Sequence, residues 1–483
     1  MDNTPPSDVL ARHTFRAEDQ ERFARLSGDR NPLHMDPIAA RRTQAGAPVV
    51  HGMHLLLWCL EALARRNDRV TPPPRALETR FLKPVYVGDT PSVRLLKPDA
   101  ASWSLRIEIA GVALATVQLS FAERAPAAAP LRAERELPEL LRMPRELRLE
   151  EMARRAGGIP FAASPAAVAE LFPAAAAWIG AERLRGLVAL SYLVGMECPG
   201  LHSLFSSLAV DLTPVDRQEM GYTVTEIDDR FRLVRLRVGG SGLAGIVEAF
   251  ARQAPVRQLS IEAAATHVSR GEFAGQHPLI IGGSRGLGEL TAKLIAAGGG
   301  QPVITYARGA ADAEAVRQEI AGFGGGCAIM PYDATQPAAA QLERLPSHPT
   351  ELYYFATSQI FRRKLTLFDA DLLRDFMAIY VSGFYDLCAA LAARSAGRLS
   401  AFYPSSTAVE QRPRDMTEYA MAKSAGEALA ADMTRFMPRV RVTVTRLPRL
   451  PSDQTTTVAP AEAGSAVEVL LPIVRAVQKR AQG

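Results

Sequence analysis

Cysteine is scarce: Cys59, Cys198, Cys327 and Cys388 are the only four thiols in 483 residues, and none belongs to a Cys-x-x-Cys pair. That argues against a disulfide framework and against a zinc ligand set, and it suits a reduced, cytoplasmic compartment. The start, Met1-Asp2-Asn3-Thr4-Pro5-Pro6, lacks the basic and apolar regions of a secretion signal. Long apolar runs are also missing. The stretch from Gly186 to Gly195 spans ten residues, about half of the roughly 18 that cross a membrane, so no membrane partner is expected. Nor is there an excess of one charge: 56 Lys and Arg against 51 Asp and Glu leave a net +5. Such a balance is too weak for a nucleic-acid surface, but it suits a phosphorylated cofactor or an acidic partner. What the chain has is apolar content, 48% of its residues, enough for packed cores. Its length implies two to four domains.

Two breaks divide the chain into segments 1–125, 126–270 and 271–483. The first is an Ala/Pro stretch from Arg124 to Arg135 that reads as a linker, and the second lies around Ser269 to Gln276. In the first segment an amphipathic helix is expected over 17–26. A helix apolar nearly all round follows over 52–64, which must be buried on most sides. Period-two stretches at 76–86, 91–98, 102–109 and 112–122 then predict antiparallel strands around it. The second segment repeats the order, with helical pattern over 165–195 and strand-like stretches at 201–213, 221–237 and 243–251. The third alternates strand and helix, with strands at 278–282, 302–306, 327–331, 351–356, 399–404 and 440–446. That alternation predicts a doubly wound parallel sheet.

Residues 22–34 read Arg-Phe-Ala-Arg-Leu-Ser-Gly-Asp-Arg-Asn-Pro-Leu-His. Ala39-Ala40, Val50-His51-Gly52-Met53, Phe81-Leu82-Lys83-Pro84-Val85 and Gly88-Asp89 follow in order. Together they resemble the MaoC-like (R)-specific enoyl-thioester hydratases and dehydratases, which implies a hotdog fold. Removing water from a 3-hydroxyacyl thioester needs a base at C2 and an acid at the C3 hydroxyl. Asp29 and His34, five residues apart on a proline-stiffened loop, suit that exchange. The Gly52 N–H, at the start of the buried helix, is the expected donor to the developing thioester oxyanion. Asn31 is expected to shape the loop, and His51 to pack or cap the helix. No such motif recurs in the middle segment. A nucleophilic Cys198–His202 pair is weaker there than a helix-ending turn at Cys198-Pro199-Gly200. By analogy with double-hotdog enzymes, this segment is expected to be a catalytically silent hotdog that completes the acyl pocket.

Residues 278–288 read Pro-Leu-Ile-Ile-Gly-Gly-Ser-Arg-Gly-Leu-Gly, a strand running into Gly-x-x-x-Gly-x-Gly. Tyr419-Ala420-Met421-Ala422-Lys423 lies further on, with Ser406 thirteen residues before the tyrosine. These motifs resemble the short-chain dehydrogenases/reductases. The resemblance implies catalytic Ser406, Tyr419 and Lys423, with the Lys423 ammonium lowering the Tyr419 pKa. It also implies a nicotinamide cofactor held by Gly282, Ser284, Arg285, Gly286 and Gly288, with Asp333 at the adenine. After the second strand, Tyr306-Ala307-Arg308-Gly309 offers no acid for a ribose hydroxyl. Arg285 and Arg308 instead favour a 2′-phosphate, hence NADPH. Two departures stand out: Phe355-Ala356-Thr357-Ser358 replaces the usual Asn-Asn-Ala-Gly, and Tyr380 falls where an asparagine is usual.

The expected fold is thus an α+β double hotdog followed by an α/β Rossmann-type doubly wound parallel sheet, with no metal. The expected function is a bifunctional 3-oxoacyl-thioester reductase and 3-hydroxyacyl-thioester dehydratase in fatty-acid or polyketide-type biosynthesis. Its partners would be acyl carrier protein or CoA thioesters, with a homodimer by analogy. Two alternatives stand beside it. One is the reverse sequence, hydration then oxidation, in degradation. The other is a dehydratase with a non-catalytic reductase-like scaffold.

Overall fold

The apolar run after Gly52 folds as the helix Gly52–Arg66, with Met53, Leu55, Leu56, Leu57, Leu60 and Leu63 all but inaccessible. Each such side chain contributes about 1.5–3 kcal/mol by leaving water. The structure is a computed structural model that describes residues 9–66, 71–96, 98–122, 131, 137–360, 367–395, 397–450 and 466–482. Apart from Leu131, the expected linker lies outside the described residues. The chain divides into two compact units, through Ala254 and from Pro255 onward.

In the first unit the strands are β1 (Val9–Arg12), β2 (Ala76–Phe81), β3 (Ser92–Leu95), β4 (Ser102–Ile109), β5 (Val112–Ser120), β6 (Ala156–Gly158), β7 (Ser203–Leu212), β8 (Met220–Asp228), β9 (Leu233–Gly240) and β10 (Leu243–Ala251). They form one ten-stranded antiparallel sheet in the order β1-β3-β4-β5-β2-β7-β10-β9-β8-β6. Read inward from either edge, the two halves have the same connectivity, strand for strand. They join where β2 pairs antiparallel with β7, Ala76 opposite Asp211 and Arg80 opposite Ser207. Each half also sends one buried helix across its sheet: Gly52–Arg66 in the first, Ala181–Tyr192 in the second. This is a double hotdog with a single shared core.

Two differences from the sequence expectation have local causes. The single stretch expected over 221–237 is a hairpin, because Asp228 Oδ1 accepts the N–H groups of Arg230 and Phe231 and turns the chain between β8 and β9. The short strands β1 and β6 were not anticipated.

The second unit holds β11 (Leu279–Ile281), β12 (Val303–Tyr306), β13 (Ala328–Pro331), β14 (Glu351–Tyr354), β15 (Leu399–Ser406) and β16 (Val440–Leu447). They form a parallel sheet in the order β13-β12-β11-β14-β15-β16. This is the doubly wound arrangement whose ligand crevice opens where the order reverses, between β11 and β14. Helix Ile261–Ala265 and Phe273 pack into this unit's core with Ile280 and Leu294. Residues 255–270, expected to close the middle segment, therefore belong here.

The continuous helical run Ala370–Arg394 is long and apolar enough to cross a membrane by length and composition. That was not expected from the sequence. Its residues Leu372, Phe376, Tyr380, Phe384, Leu387 and Leu391 pack in the core of the parallel-sheet unit, so the run serves as the crossover between β14 and β15.

Candidate functional sites

Helix Ala17–Ser27 ends at Gly28, whose φ of +76° is a left-handed cap. That geometry favours glycine and turns the chain sharply into Asp29. Two residues on, Asn31 Oδ1 accepts the Leu33 N–H at 3.0 Å and starts the short helix Pro32–Met35, with Pro32 at its first position. His34 is thereby carried back beside Asp29. Its Nδ1 donates to the Val49 carbonyl at 2.8 Å, which fixes the tautomer and leaves Nε2 with its lone pair. The His34 ring stacks on that of His51, 4.0 Å between centroids. Asp29, His34 and His51 offer ligand atoms all within 4.8 Å of one another. The same cluster has the spacing to hold a metal ion, although the sequence reading expects none.

Burial dominates the electrostatics. It raises the Asp29 pKa, against the opposing pull of His34, the Ser191 hydroxyl and the Asn31 N–H. It lowers that of His34, against Asp29 and the Val49 bond, while the positive charge of Arg252 lowers it further. The acid and the base are thus brought toward each other in proton affinity, which suits exchange in both directions. His51 is pushed well below its ordinary value by burial and then by His34 and His54. Its Nε2 lies 3.2 Å from the Asp29 carbonyl and its Nδ1 2.9 Å from Gln20 Oε1. His51 therefore braces the Asp29 loop as well as leading into the helix. Gly52 begins that helix, and its N–H makes no hydrogen bond among the described residues, as an oxyanion donor requires.

The sequence reading missed Ser191, whose hydroxyl donates to Asp29 Oδ2 at 2.7 Å. Its one signal was a lone serine within the apolar run Gly186 to Gly195. The Cys198 thiol is buried and pushed up to about 12, while His202 pairs with Glu146 at 3.1 Å. Neither is set up as a nucleophilic pair.

In the second unit Gly282 has φ +76°, and a Cβ there would meet the Phe355 carbonyl at 3.0 Å. At Gly288 a Cβ would fall 2.3 Å from the Gly282 oxygen. Gly286, φ +59°, faces open space. It begins the helix Gly286–Ala297, whose start has no side-chain cap. Bare amides, a helix dipole and a cradle without side chains fit a pyrophosphate. Ser284 is buried in the loop. Arg308 is exposed just beyond β12, as is Asp333 beyond β13. Asp333 Oδ1 accepts the N–H and hydroxyl of Thr335 at 2.9 and 2.7 Å.

Tyr419 and Lys423 lie one turn apart on helix Thr417–Phe436, and Ser406 ends β15. Burial pushes Tyr419 up to about 12, with the Ser406 hydroxyl opposing. Lys423 is pushed down to about 7 by burial, with Glu427 opposing. The lysine, expected to lower the phenol, is not among the groups that shift Tyr419, and its own charge is disfavoured by burial. Its Nζ donates to the Pro404 carbonyl at 2.7 Å and lies 3.9 Å from the centre of the Tyr380 ring. Tyr380 occupies a π-helical turn, Ala378–Gly383, and its hydroxyl pairs with Thr357 Oγ1 at 2.6 Å. Both departures from the reductase pattern thus meet in one contact.

Comparison with known proteins finds a match to the family described as MaoC like domain over residues 3–117. An (R)-specific enoyl-CoA hydratase of Aeromonas caviae is 36% identical over 107 residues, 21% of this chain and 80% of that protein. The 3-hydroxyacyl-thioester dehydratase Y of Mycobacterium tuberculosis is 36% identical over 96 residues, 20% of this chain and 33% of that one. The chain spans a third or less of the length of that and of several other curated relatives. Among solved structures, a short chain dehydrogenase from Burkholderia cenocepacia in complex with NADP is 23% identical. The match covers 42% of this chain and 91% of that one, with a TM-score of 0.38.

Proposed function

Because the chain belongs to the MaoC-like domain family by its N-terminal region, we propose that its first unit interconverts 3-hydroxyacyl and trans-2-enoyl thioesters. The observation that carries this is the meeting of the buried Asp29 carboxyl with the half-buried His34 imidazole, their ligand atoms within 4.8 Å of each other. In dehydration one of the pair takes the C2 proton and the other gives a proton to the departing C3 hydroxyl. C2=C3 forms and water leaves. Gly52 N–H steadies the charge on the thioester oxygen meanwhile.

The second unit, on this proposal, reduces a 3-oxoacyl thioester to the 3-hydroxy substrate of the first. A bound nicotinamide dinucleotide supplies the hydride. Gly282, Ser284, Gly286 and Gly288 hold its pyrophosphate, Asp333 its adenine, and Arg285 and Arg308 a 2′-phosphate, so NADPH is the preferred form. Tyr419 delivers the proton to the substrate oxygen, and Ser406 orients that oxygen. A preference for NADPH supports the reductive, biosynthetic direction over hydration followed by oxidation. Acyl carrier protein and CoA thioesters share the pantetheine thioester that both units would take, and a homodimer is proposed by analogy.

One observation favours a second reading, in which the reductase-like unit is a scaffold: Lys423 donates to the Pro404 carbonyl and sits closer to the Tyr380 ring, 3.9 Å from its centre, than to that of Tyr419, at 5.9 Å. The test follows NADPH oxidation and enoyl formation together, on 3-oxoacyl-CoA and 3-oxoacyl-carrier substrates of graded length. Coupled signals support the bifunctional enzyme. Dehydration without nucleotide binding leaves the scaffold reading standing and removes the other.

A further inference from the structure

Among the described residues the second hotdog half holds no counterpart of the Asp29–His34–His51 cluster, yet it grips the acid of the first. Ser191 lies on helix Ala181–Tyr192, 162 residues from Asp29 in sequence, and is buried. A helical serine commonly returns its hydroxyl to the carbonyl one turn back. Here its only partner among the described residues is Asp29 Oδ2, at 2.7 Å. The helix then widens into a π-helical turn, Leu193–Glu197, a feature frequent at functional sites. Gly195 in that turn lies so close to Asp29 that a Cβ would fall 2.2 Å from Oδ1. The grip is mutual. Asn31 Nδ2 donates to the carbonyls of Gly195 and Gly200 at 2.8 and 3.1 Å, so the loop that carries Asp29 also holds the turn.

We propose that Ser191 is a positioning residue of the dehydratase site, through which the second half fixes the Asp29 carboxylate against the His34 imidazole. This rests on the function proposed for the first unit. The second half is therefore part of the catalytic apparatus rather than only a wall of the acyl pocket. A hydroxyl donated to the ionised carboxylate favours that form, so its loss moves the Asp29 ionisation upward.

The test compares the full chain with its Ser191→Ala, Ser191→Thr and Asp29→Asn variants, using a short trans-2-enoyl-CoA as the hydration probe. Ser191→Ala should lower kcat about tenfold or more at unchanged KM and raise the Asp29-dependent ionisation of the kcat profile by about one unit. Ser191→Thr, which keeps the hydroxyl, should retain most activity and the parent profile. The Asp29 carboxylic acid band, identified by infrared difference against Asp29→Asn, reports the same ionisation without turnover. A Ser191→Ala variant with the parent's rate and profile overturns the inference. So do equal losses in the Ala and Thr variants with the profile unmoved, which mark a purely structural role. If the parent chain shows no hydration, the function proposed for this unit fails instead. The infrared band then decides the coupling alone, and a band that does not move overturns it.

Discussion

Replacing Glu351 with glutamine should flatten the pH dependence of stability of the parallel-sheet unit. Glu351 opens β14 in the middle of the sheet, only 2% exposed. Its carboxyl accepts a hydrogen bond from the Thr350 hydroxyl, and no cation contributes to its ionisation. Burial therefore raises its pKa from 4.5 to about 7. Between those values the folded chain holds a proton that the unfolded chain has released. This stabilisation is fully present below pH 4.5 and is lost as pH rises through 7. A shift of about 2.5 units corresponds to roughly 3 kcal/mol. In a unit of this size that is on the order of 6–12 °C in Tm. Glutamine keeps the volume and cannot ionise, so Glu351→Gln should match the parent near pH 4.5 and exceed it at pH 8. The gain at pH 8 is smaller than 3 kcal/mol to the extent that the new amide N–H groups find no acceptor. Thermal and urea denaturation at pH 4.5, 6 and 8, resolved for the two units, measures it. Parallel stability curves for parent and variant would refute the argument that an unpaired buried carboxyl controls this pH range.

Lys423→Met removes a buried ammonium whose pKa falls from 10.5 to about 7. In the parent, stability should climb between pH 7 and 10.5, where only the unfolded chain keeps the proton. The variant should lose that climb and be more stable at pH 6.5, by at most about 5 kcal/mol, in the same denaturation series. Asp29→Asn and His34→Ala should each lower hydration of a trans-2-enoyl-CoA by about 10²–10⁴-fold at near-parent Tm, and full activity in both would remove the site assignment. Arg308→Asp should reverse nucleotide preference, weakening NADPH binding about tenfold or more against NADH in fluorescence titration, since a carboxylate repels the 2′-phosphate and accepts from the ribose hydroxyl.

What could be read from the sequence follows the range of the interactions involved. Strands β11 to β14 each fall within an expected run, and β15 and β16 start on theirs and extend past them by two residues and one, because a strand buried on both faces is a short apolar run bounded by helical pattern. The closeness of Asp29 and His34 was legible because only five positions separate them in sequence, and the glycine cradle because a left-handed turn leaves glycine behind. β1 and β6 were not legible: as edge strands of four and three residues they carry too few positions to show a period. The hairpin within 221–237 was hidden for a different reason. Its two arms alternate with the same period, so only the Asp228 turn separates them. The pseudo-symmetry of the sheet left its trace in element order and not in residue identity, since packing constrains volume and polarity rather than particular residues. Ser191 falls between these cases. A serine in a greasy helix is a visible oddity, but its meaning depends on a carboxylate 162 residues away. Only the pairing of the two halves brings them together. The hydroxyl that donates to the first half's acid therefore comes from the second half, and no reading of either half alone could have paired them.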